Sequence, residues 1–320
     1  MKKLYAIGEA LIDFIPQESG KSIKDVEGFH PAVGGAPANV CGAFCKLGGK
    51  AGMITQLGDD PFGDKIVEEF EQFRIDTSHV LRTKEANTSL AFVALKADGN
   101  REFSFYRKLG ADMLLSPETV KKEWFTDAYA LHFCSVSLGE FPMKAAHEKA
   151  ISYAMESGAI ISFDINLRPA LWESEEALRK AVWEFIPKAH ILKISDEELE
   201  FVTGKTSIEA AKKELFVGNV ELIIYTKGAD GAEGFTKKAQ AVSKGKQVKA
   251  VDTTGAGDGF MGSFLYQLFA DGVDTVSGLA GLTEDKMQKY LDFSNTYCGM
   301  SVQKAGAIAS YPTGQEMGIV

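Results

Sequence analysis

Val251-Asp252-Thr253-Thr254-Gly255-Ala256-Gly257-Asp258 stands directly ahead of a segment in which Phe260, Met261, Phe264, Leu265, Leu268 and Phe269 recur with helical spacing. The stretch reads as a loop that opens a helix. Gly255, Ala256 and Gly257 are small enough to let backbone approach a ligand closely. A helix starting there presents free N–H groups and the positive end of its dipole, which favour an anion, most often phosphate. Asp258 falls in the first turn, where an acid suits the dipole without further duty or serves as a base beside the phosphate. The pattern alone leaves both open.

The chain around this loop has 320 residues, room for one large α/β domain with an elaboration or for two ordinary ones. Hydrophobic residues make up 45% and charged residues 25%, the balance of a soluble globular protein. A net charge of -9 and a pI near 5.2 argue against a nucleic-acid partner. No apolar run approaches the roughly 18 residues of a membrane span. Met1-Lys2-Lys3 precedes Leu4 to Ile7, but Glu9 and Asp13 interrupt the run, so it is read as a first strand rather than a leader. Cys41, Cys45, Cys134 and Cys298 lack zinc spacing and suit reduced thiols in a cytoplasmic protein.

Leu4 to Gly8 reads as a strand that Leu11 to Ile15 continues, with Asp13 inside it either as a surface residue or as a ligand for hydroxyls. Gly34-Gly35-Ala36-Pro37-Ala38-Asn39 opens a second helix, ended near Gly48-Gly49, with Asn39 in its first turn. Plain capping and close packing would explain that loop if it stood alone. Lys50 to Leu57 is a strand, and Gly58-Asp59-Asp60-Pro61-Phe62-Gly63 turns into a helix, giving the rhythm of a parallel sheet. Ser89 to Lys96 and Arg101 to Arg107 alternate about the turn Asp98-Gly99-Asn100. That hairpin, with part of Phe14 to Val33, suggests a small antiparallel lid.

Ala128 to Cys134, Ala159 to Asp164, His190 to Ile194 and Glu221 to Thr226 are buried-looking strands separated by helical patterns. Asp164-Ile165-Asn166-Leu167-Arg168-Pro169 places an acid, an amide and a cation past one strand end, where open α/β sheets bind ligands. Arg168 either clamps a phosphate or pairs with Asp164, the second being the simpler expectation. Ser195-Asp196-Glu197-Glu198 fits a capping box, and Thr226-Lys227-Gly228-Ala229-Asp230-Gly231 a tight turn able to hold a nucleotide. Thr283 to Lys304 reads as a long helix that Gly306 ends. The five histidines show no ligand or triad spacing.

The two glycine loops in this order resemble the paired signatures of the ribokinase-type sugar kinases, the family that includes fructokinases, and the resemblance runs over essentially the whole chain. It implies a ribokinase-like α/β fold: one domain over 1–320, a central, mostly parallel sheet flanked by helices, and an inserted β lid formed by about 14–33 and 88–110. It implies ATP-dependent phosphorylation of a sugar, with Asp258 matching the catalytic base and Gly255, Ala256 and Gly257 the anion hole. Asp13, Gly34, Gly35 and Asn39 match sugar contacts. Asn166 and Arg168 lie in an Asp-x-Asn-x-Arg stretch similar to that of fructokinases, Arg168 near the phosphates. Lys193, Ser195, Thr226, Gly228, Gly231 and Asn295 fall at the nucleotide. Glu198 matches a residue holding the magnesium water shell, although Ser195 departs from the family's usual Asn-x-x-Glu. Asp252, Thr254, Ser301, Lys304, Gly306 and Ser310 correspond to positions around a monovalent cation, typically potassium. In the lid, Phe105 and Arg107 with Gly110-Ala111-Asp112 look most like fructokinases, in which an aromatic and an arginine close over the sugar. A similar Tyr-Arg pair in 2-dehydro-3-deoxygluconate kinases holds a carboxylate. Fructose 6-phosphorylation is the first expectation and the ketogluconate kinase the second. A catalytically silent sugar or nucleotide sensor would require a degraded Asp258 or anion hole, and a dinucleotide dehydrogenase would require a Gly-x-Gly-x-x-Gly that the first strand lacks. A homodimer through the lid is expected.

Overall fold

Short apolar strands alternate with amphipathic helices along most of the chain. The computed structural model describes residues 2–18, 20–95 and 101–319. Its strands are β1 (Lys3–Ile7), β2 (Leu11–Pro16), β3 (Phe29–Gly34), β4 (Ala51–Gly58), β5 (Ile75–Thr83), β6 (Leu90–Leu95), β7 (Arg101–Tyr106), β8 (Ala128–Cys134), β9 (Ile160–Asp164), β10 (Ile191–Ser195), β11 (Leu222–Thr226), β12 (Gly231–Thr236) and β13 (Gln240–Lys244). The helices are α1 (Ala36–Lys46), α2 (Pro61–Gln72), α3 (Pro142–Glu156), α4 (Glu175–Phe185), α5 (Asp196–Thr203), α6 (Ile208–Leu215), α7 (Ala256–Ala270), α8 (Val276–Ala280) and α9 (Glu284–Ser301).

Among the described residues nine strands form the main sheet, in the order β13-β12-β11-β10-β9-β8-β1-β4-β5. Neighbours from β11 across to β5 pair parallel, and β12 and β13 are antiparallel additions at one edge. Alternate residues of each strand enter different cores. Leu4 and Ala6 of β1 pack with Val40, Phe44, Phe264, Leu268 and Leu291 of α1, α7 and α9. Tyr5 and Ile7 face the other side with Met143, Ala150, Leu178, Leu199 and Leu215 of α3 to α6. Helices on both faces are what allow strands this apolar to be parallel. Strand β1 lies between β4 and β8, so the connections leave it in opposite directions and open a crevice at the carboxyl ends of the strands.

The second sheet has the order β3-β2-β6-β7, and Phe14 stacks on Phe92 within it at 4.6 Å. It runs through both segments assigned to the lid, but it is mixed rather than antiparallel: β2 pairs with β3, and β6 with β7, in antiparallel fashion, while β2 and β6 are parallel. The turn Asp98-Gly99-Asn100, with Lys96, lies outside the described residues.

Two further expectations need correction, and one strand showed no readable pattern. Leu11 to Ile15 does not extend the first strand: the chain bends at Gly8, φ 148°, and β2 belongs to the small sheet. The last long helix stops at Ser301 rather than at Lys304, and Gly306 sits in the following loop with φ 91°. Strand β5 carries Asp76, His79 and Arg82 and so hides its apolar alternation, as an exposed edge strand can. Among the described residues no helix is long and apolar enough to cross a membrane, and all four cysteines are free thiols.

Candidate active site

Helix α7 begins at a backbone geometry that only its glycine accommodates easily. Gly255 has φ 72°, and a Cβ there would meet Tyr311 Oη at 2.6 Å and Ala307 Cβ at 2.9 Å. Tyr311 Oη donates to Gly255 O at 2.6 Å, and Cys298 Sγ to Ala256 O at 3.1 Å. The start of the helix is thereby fastened from the C-terminal part of the chain.

Asp258 lies in the first turn and is buried. Asn39 Nδ2, at the start of α1, donates to its Oδ2 at 2.8 Å, and Asn166 Nδ2, past the end of β9, donates to its Oδ1 at 3.2 Å. Burial pushes the Asp258 carboxyl up, against the pull of Asn39, Arg168, Lys193 and Asn166, and the net shift is upward. Asn166 holds φ 45°, a left-handed conformation that asparagine tolerates better than most residues. Each asparagine gives an N–H to Asp258 and keeps its buried Oδ1 without a hydrogen-bond partner among the described residues. Buried acceptors of this kind call for a donor, and a ligand hydroxyl beside the carboxylate would satisfy them.

Asp13 and the Gly34-Gly35 loop form the adjoining wall. The Asp13 carboxylate packs where a Cβ on Gly34 would stand, and Gly35, at φ 114°, passes against the backbone of Glu9. Burial pushes the Asp13 carboxyl up to about 7, opposed by Arg168 and reinforced by Asp258 and Glu9. Behind the loop is a network that sequence reasoning missed. Glu9 accepts from Ala36 N at 3.3 Å and from Ser137 Oγ at 2.8 Å. Arg107, expected to reach over the sugar, is turned inward: Nε and Nη2 donate to Asp112 Oδ2 at 2.8 and 2.5 Å. Phe105 stacks on Phe103 at 5.8 Å and lines a cavity of about 500 Å³ with Asn87, Thr88 and Gly110 at the root of the lid.

The third wall comes from the ends of β9, β10 and β11. Lys193 Nζ lies 3.0 Å from Asp164 Oδ1, both groups buried, and would stand 3.4 Å from a Cβ on Gly257, beneath the start of α7. Arg168 therefore does not pair with Asp164; it is exposed, donates to Leu167 O at 2.7 Å, and pulls down both Asp13 and Asp258. Ser195 and Glu198 close the expected capping box, and Glu198 accepts from Ser195 N at 2.8 Å and Leu167 N at 3.0 Å, tying two strand ends together. Thr226 ends β11, and Gly228 and Gly231 take φ 51° and 99° in the turn that follows. Asn295 reaches the strand beside that turn, donating to Ser243 Oγ at 2.7 Å and to Ser243 O at 3.3 Å.

The residues assigned to a monovalent cation also come together. Asp252 accepts from Thr254 N and Oγ1 at 2.9 and 2.7 Å and from Gly306 N at 2.9 Å. Ser301 Oγ and Ser310 Oγ are 3.2 Å apart, and Lys304 points outward to Glu316 at 3.2 Å. Among the described residues no group of three or more His, Cys, Asp and Glu side chains is arranged to hold a metal ion.

Glu9 and Asp164 carried the same sequence signal, an acid just at the carboxyl end of an apolar strand. Asp112 entered only through the resemblance, in Gly110-Ala111-Asp112, and its pairing with Arg107 is known only from the fold. Comparison with known proteins agrees with this architecture. The model of the pfkB family of carbohydrate kinases matches residues 1–314. Fructokinase-2 of Solanum habrochaites is 40% identical over 314 residues, covering 98% of this chain and 94% of that protein. A fructokinase from Xylella fastidiosa with bound ATP superposes with a TM-score of 0.91 at 32% identity, covering 98% of this chain and 96% of that one. A Vibrio cholerae fructokinase with fructose, ADP and calcium gives 0.84 at 29% identity, covering 99% and 98%. The chain belongs to the pfkB family of carbohydrate kinases.

Proposed function

We propose that this kinase transfers the γ-phosphoryl group of ATP to the 6-hydroxyl of fructose. The observation that carries the reading is the buried Asp258 carboxylate between two asparagine amides whose carbonyl oxygens have no hydrogen-bond partner among the described residues. In this reading the sugar hydroxyl lies against Asp258, which takes its proton as the oxygen bonds to phosphorus and the bond to the bridging oxygen of ADP breaks. Burial makes Asp258 a stronger base than an exposed aspartate. The N–H groups of Gly255, Ala256 and Gly257 take up charge on the transferring group, helped by Arg168 at the rim. Asp13, Gly34, Gly35, Asn39 and Asn166 hold the sugar, with Phe105 closing from the lid and Arg107 supporting the loop from behind.

Lys193, Thr226, Gly228 and Gly231 border the nucleotide, and Ser195 and Asn295 brace its loops. Magnesium bound with ATP would neutralise phosphate charge. Glu198, whose oxygens keep lone pairs beyond their backbone bonds, suits contact with its water shell. The loop closed by Asp252, Thr254, Gly306, Ser301, Lys304 and Ser310 suits a potassium ion ringed by backbone carbonyls. Phe103, Tyr106 and Leu109 are 43, 64 and 71% exposed on and beside the lid, which supports a homodimer through that face.

The test is steady-state kinetics on a sugar panel with ATP and magnesium, with the product identified by phosphorus NMR. Fructose should give the highest kcat/KM and fructose 6-phosphate as product. Preferred turnover of 2-dehydro-3-deoxygluconate would refute the assignment. Sedimentation showing only monomer at micromolar concentration would remove the dimer.

A further inference from the structure

The Arg107 guanidinium is enclosed at the root of the lid and almost fully committed. Nε and Nη2 donate to Asp112 Oδ2, Nη1 to Val136 O at 3.0 Å, and Nη2 also to Ser137 Oγ at 3.0 Å, so four of its five N–H groups are in use. Asp112 is equally enclosed, 1% exposed, and its other oxygen accepts from Ser89 Oγ at 2.5 Å. The turn that brings the acid under the arginine is a demanding one. Leu109 takes φ 58°, costly for a residue other than glycine, and Gly110 passes so close to Ser89 Oγ that a Cβ would collide with it. Arg107 stands one hydroxyl and one carboxylate behind the sugar-facing loop: Ser137 Oγ bridges it to Glu9, which accepts from Ala36 N, next to Gly35.

We propose that Asp112 is a specificity-determining residue: by occupying the fork of Arg107 it withdraws that buried cation from the sugar site, so the site accepts a neutral ketose and refuses a sugar acid. The inference rests on the fructokinase reading above. A substrate carboxylate entering this site loses its hydration beside Asp13 and Asp258, and only a nearby uncompensated cation would offset that cost. Glu9 adds its own field to that of Asp112 at the guanidinium but does not occupy the fork, because its oxygens accept from Ala36 N and Ser137 Oγ instead. Specificity here comes from the neutralising partner rather than from the arginine, and it acts against the wrong substrate more than for the right one.

Asp112→Asn keeps the shape and the Ser89 contact while removing the charge. The ratio of kcat/KM for 2-dehydro-3-deoxygluconate to that for fructose should rise roughly tenfold or more, and the double variant Arg107→Met with Asp112→Asn should lose that gain. An unchanged ratio in a folded Asp112→Asn protein, or a gain that survives loss of Arg107, overturns the proposal. A measurement on the unaltered protein guards against a variant that does not fold. Gluconate should inhibit competitively about tenfold more weakly than glucitol, its neutral counterpart, and equal inhibition overturns the proposal. Failure of the unaltered protein to turn over fructose at all would instead overturn the substrate assignment, which the ratio of acidic to neutral inhibitor does not test.

Discussion

The sugar wall and the nucleotide wall of this site are made from different materials. Around the sugar loop the chemistry is carried by enclosed ionisable side chains, Glu9, Asp13, Arg107, Asp112 and Asp258, each set by partners from distant segments. Around the start of α7 and the turn after β11 it is carried by backbone: N–H groups, glycines at positive φ, and side chains such as Asp252 and Tyr311 that hold loops in shape. The first wall depends on charge state and therefore on pH. The second depends on conformation and therefore on where a Cβ can stand.

That contrast breaks if charge changes prove harmless or shape changes prove mild. Asp258→Asn should have the largest effect, lowering kcat by about 10³-fold or more with fructose KM within about threefold; near-normal turnover in the same assay would remove Asp258 as base. Gly255→Ala comes next. It adds about 1–2 kcal/mol of left-handed strain besides the clash with Tyr311 and Ala307, and kcat should fall about 10²-fold, measured alongside thermal stability. A normal kcat there would show that the loop re-forms around a side chain.

Asn39→Ala and Asn166→Ala should each lower kcat by about tenfold. Because both amides pull the Asp258 carboxyl down, losing either one raises it further, so the acid limb of the kcat profile should move to higher pH. A limb that stays in place would assign these amides to packing alone. The smallest effect belongs to Asp13→Asn in the unliganded protein. The Asp13 carboxyl sits at about 7, above its unfolded value of 3.8, so its contribution to stability is present below pH 4 and lost as pH rises through 7. The variant should melt above the parent at pH 8 and not at pH 4, as thermal denaturation at the two values would show.

Local pattern exposed the parts of the molecule whose physics is local. The start of α7, the α1 loop and the capping box at Ser195 were legible because a helix announces its own beginning in consecutive residues. Arg168 and Asp164 show the limit. Four residues apart in sequence, they looked like partners, but Asp164 ends a strand whose parallel neighbour sets Lys193 directly opposite it. The pairing of Asp112 was hidden for a related reason: the acid lies in a single 3-10 turn, and only the fold reveals which cation it meets. Strand β5 was hidden by its polar edge, and β12 and β13 by glycine and short length.

The two amides that hold Asp258 come from positions 219 and 92 residues away along the chain. Contacts of such separation close late, after loop entropy has been overcome, so the base is assembled only when the N-terminal, middle and C-terminal thirds have all docked. A partly folded chain can expose the glycine-rich start of α7 without a positioned carboxylate beside it. Phosphoryl transfer therefore works as a completeness signal for this fold: in a refolding time course, activity should return with the last structural phase and not with the first appearance of helix.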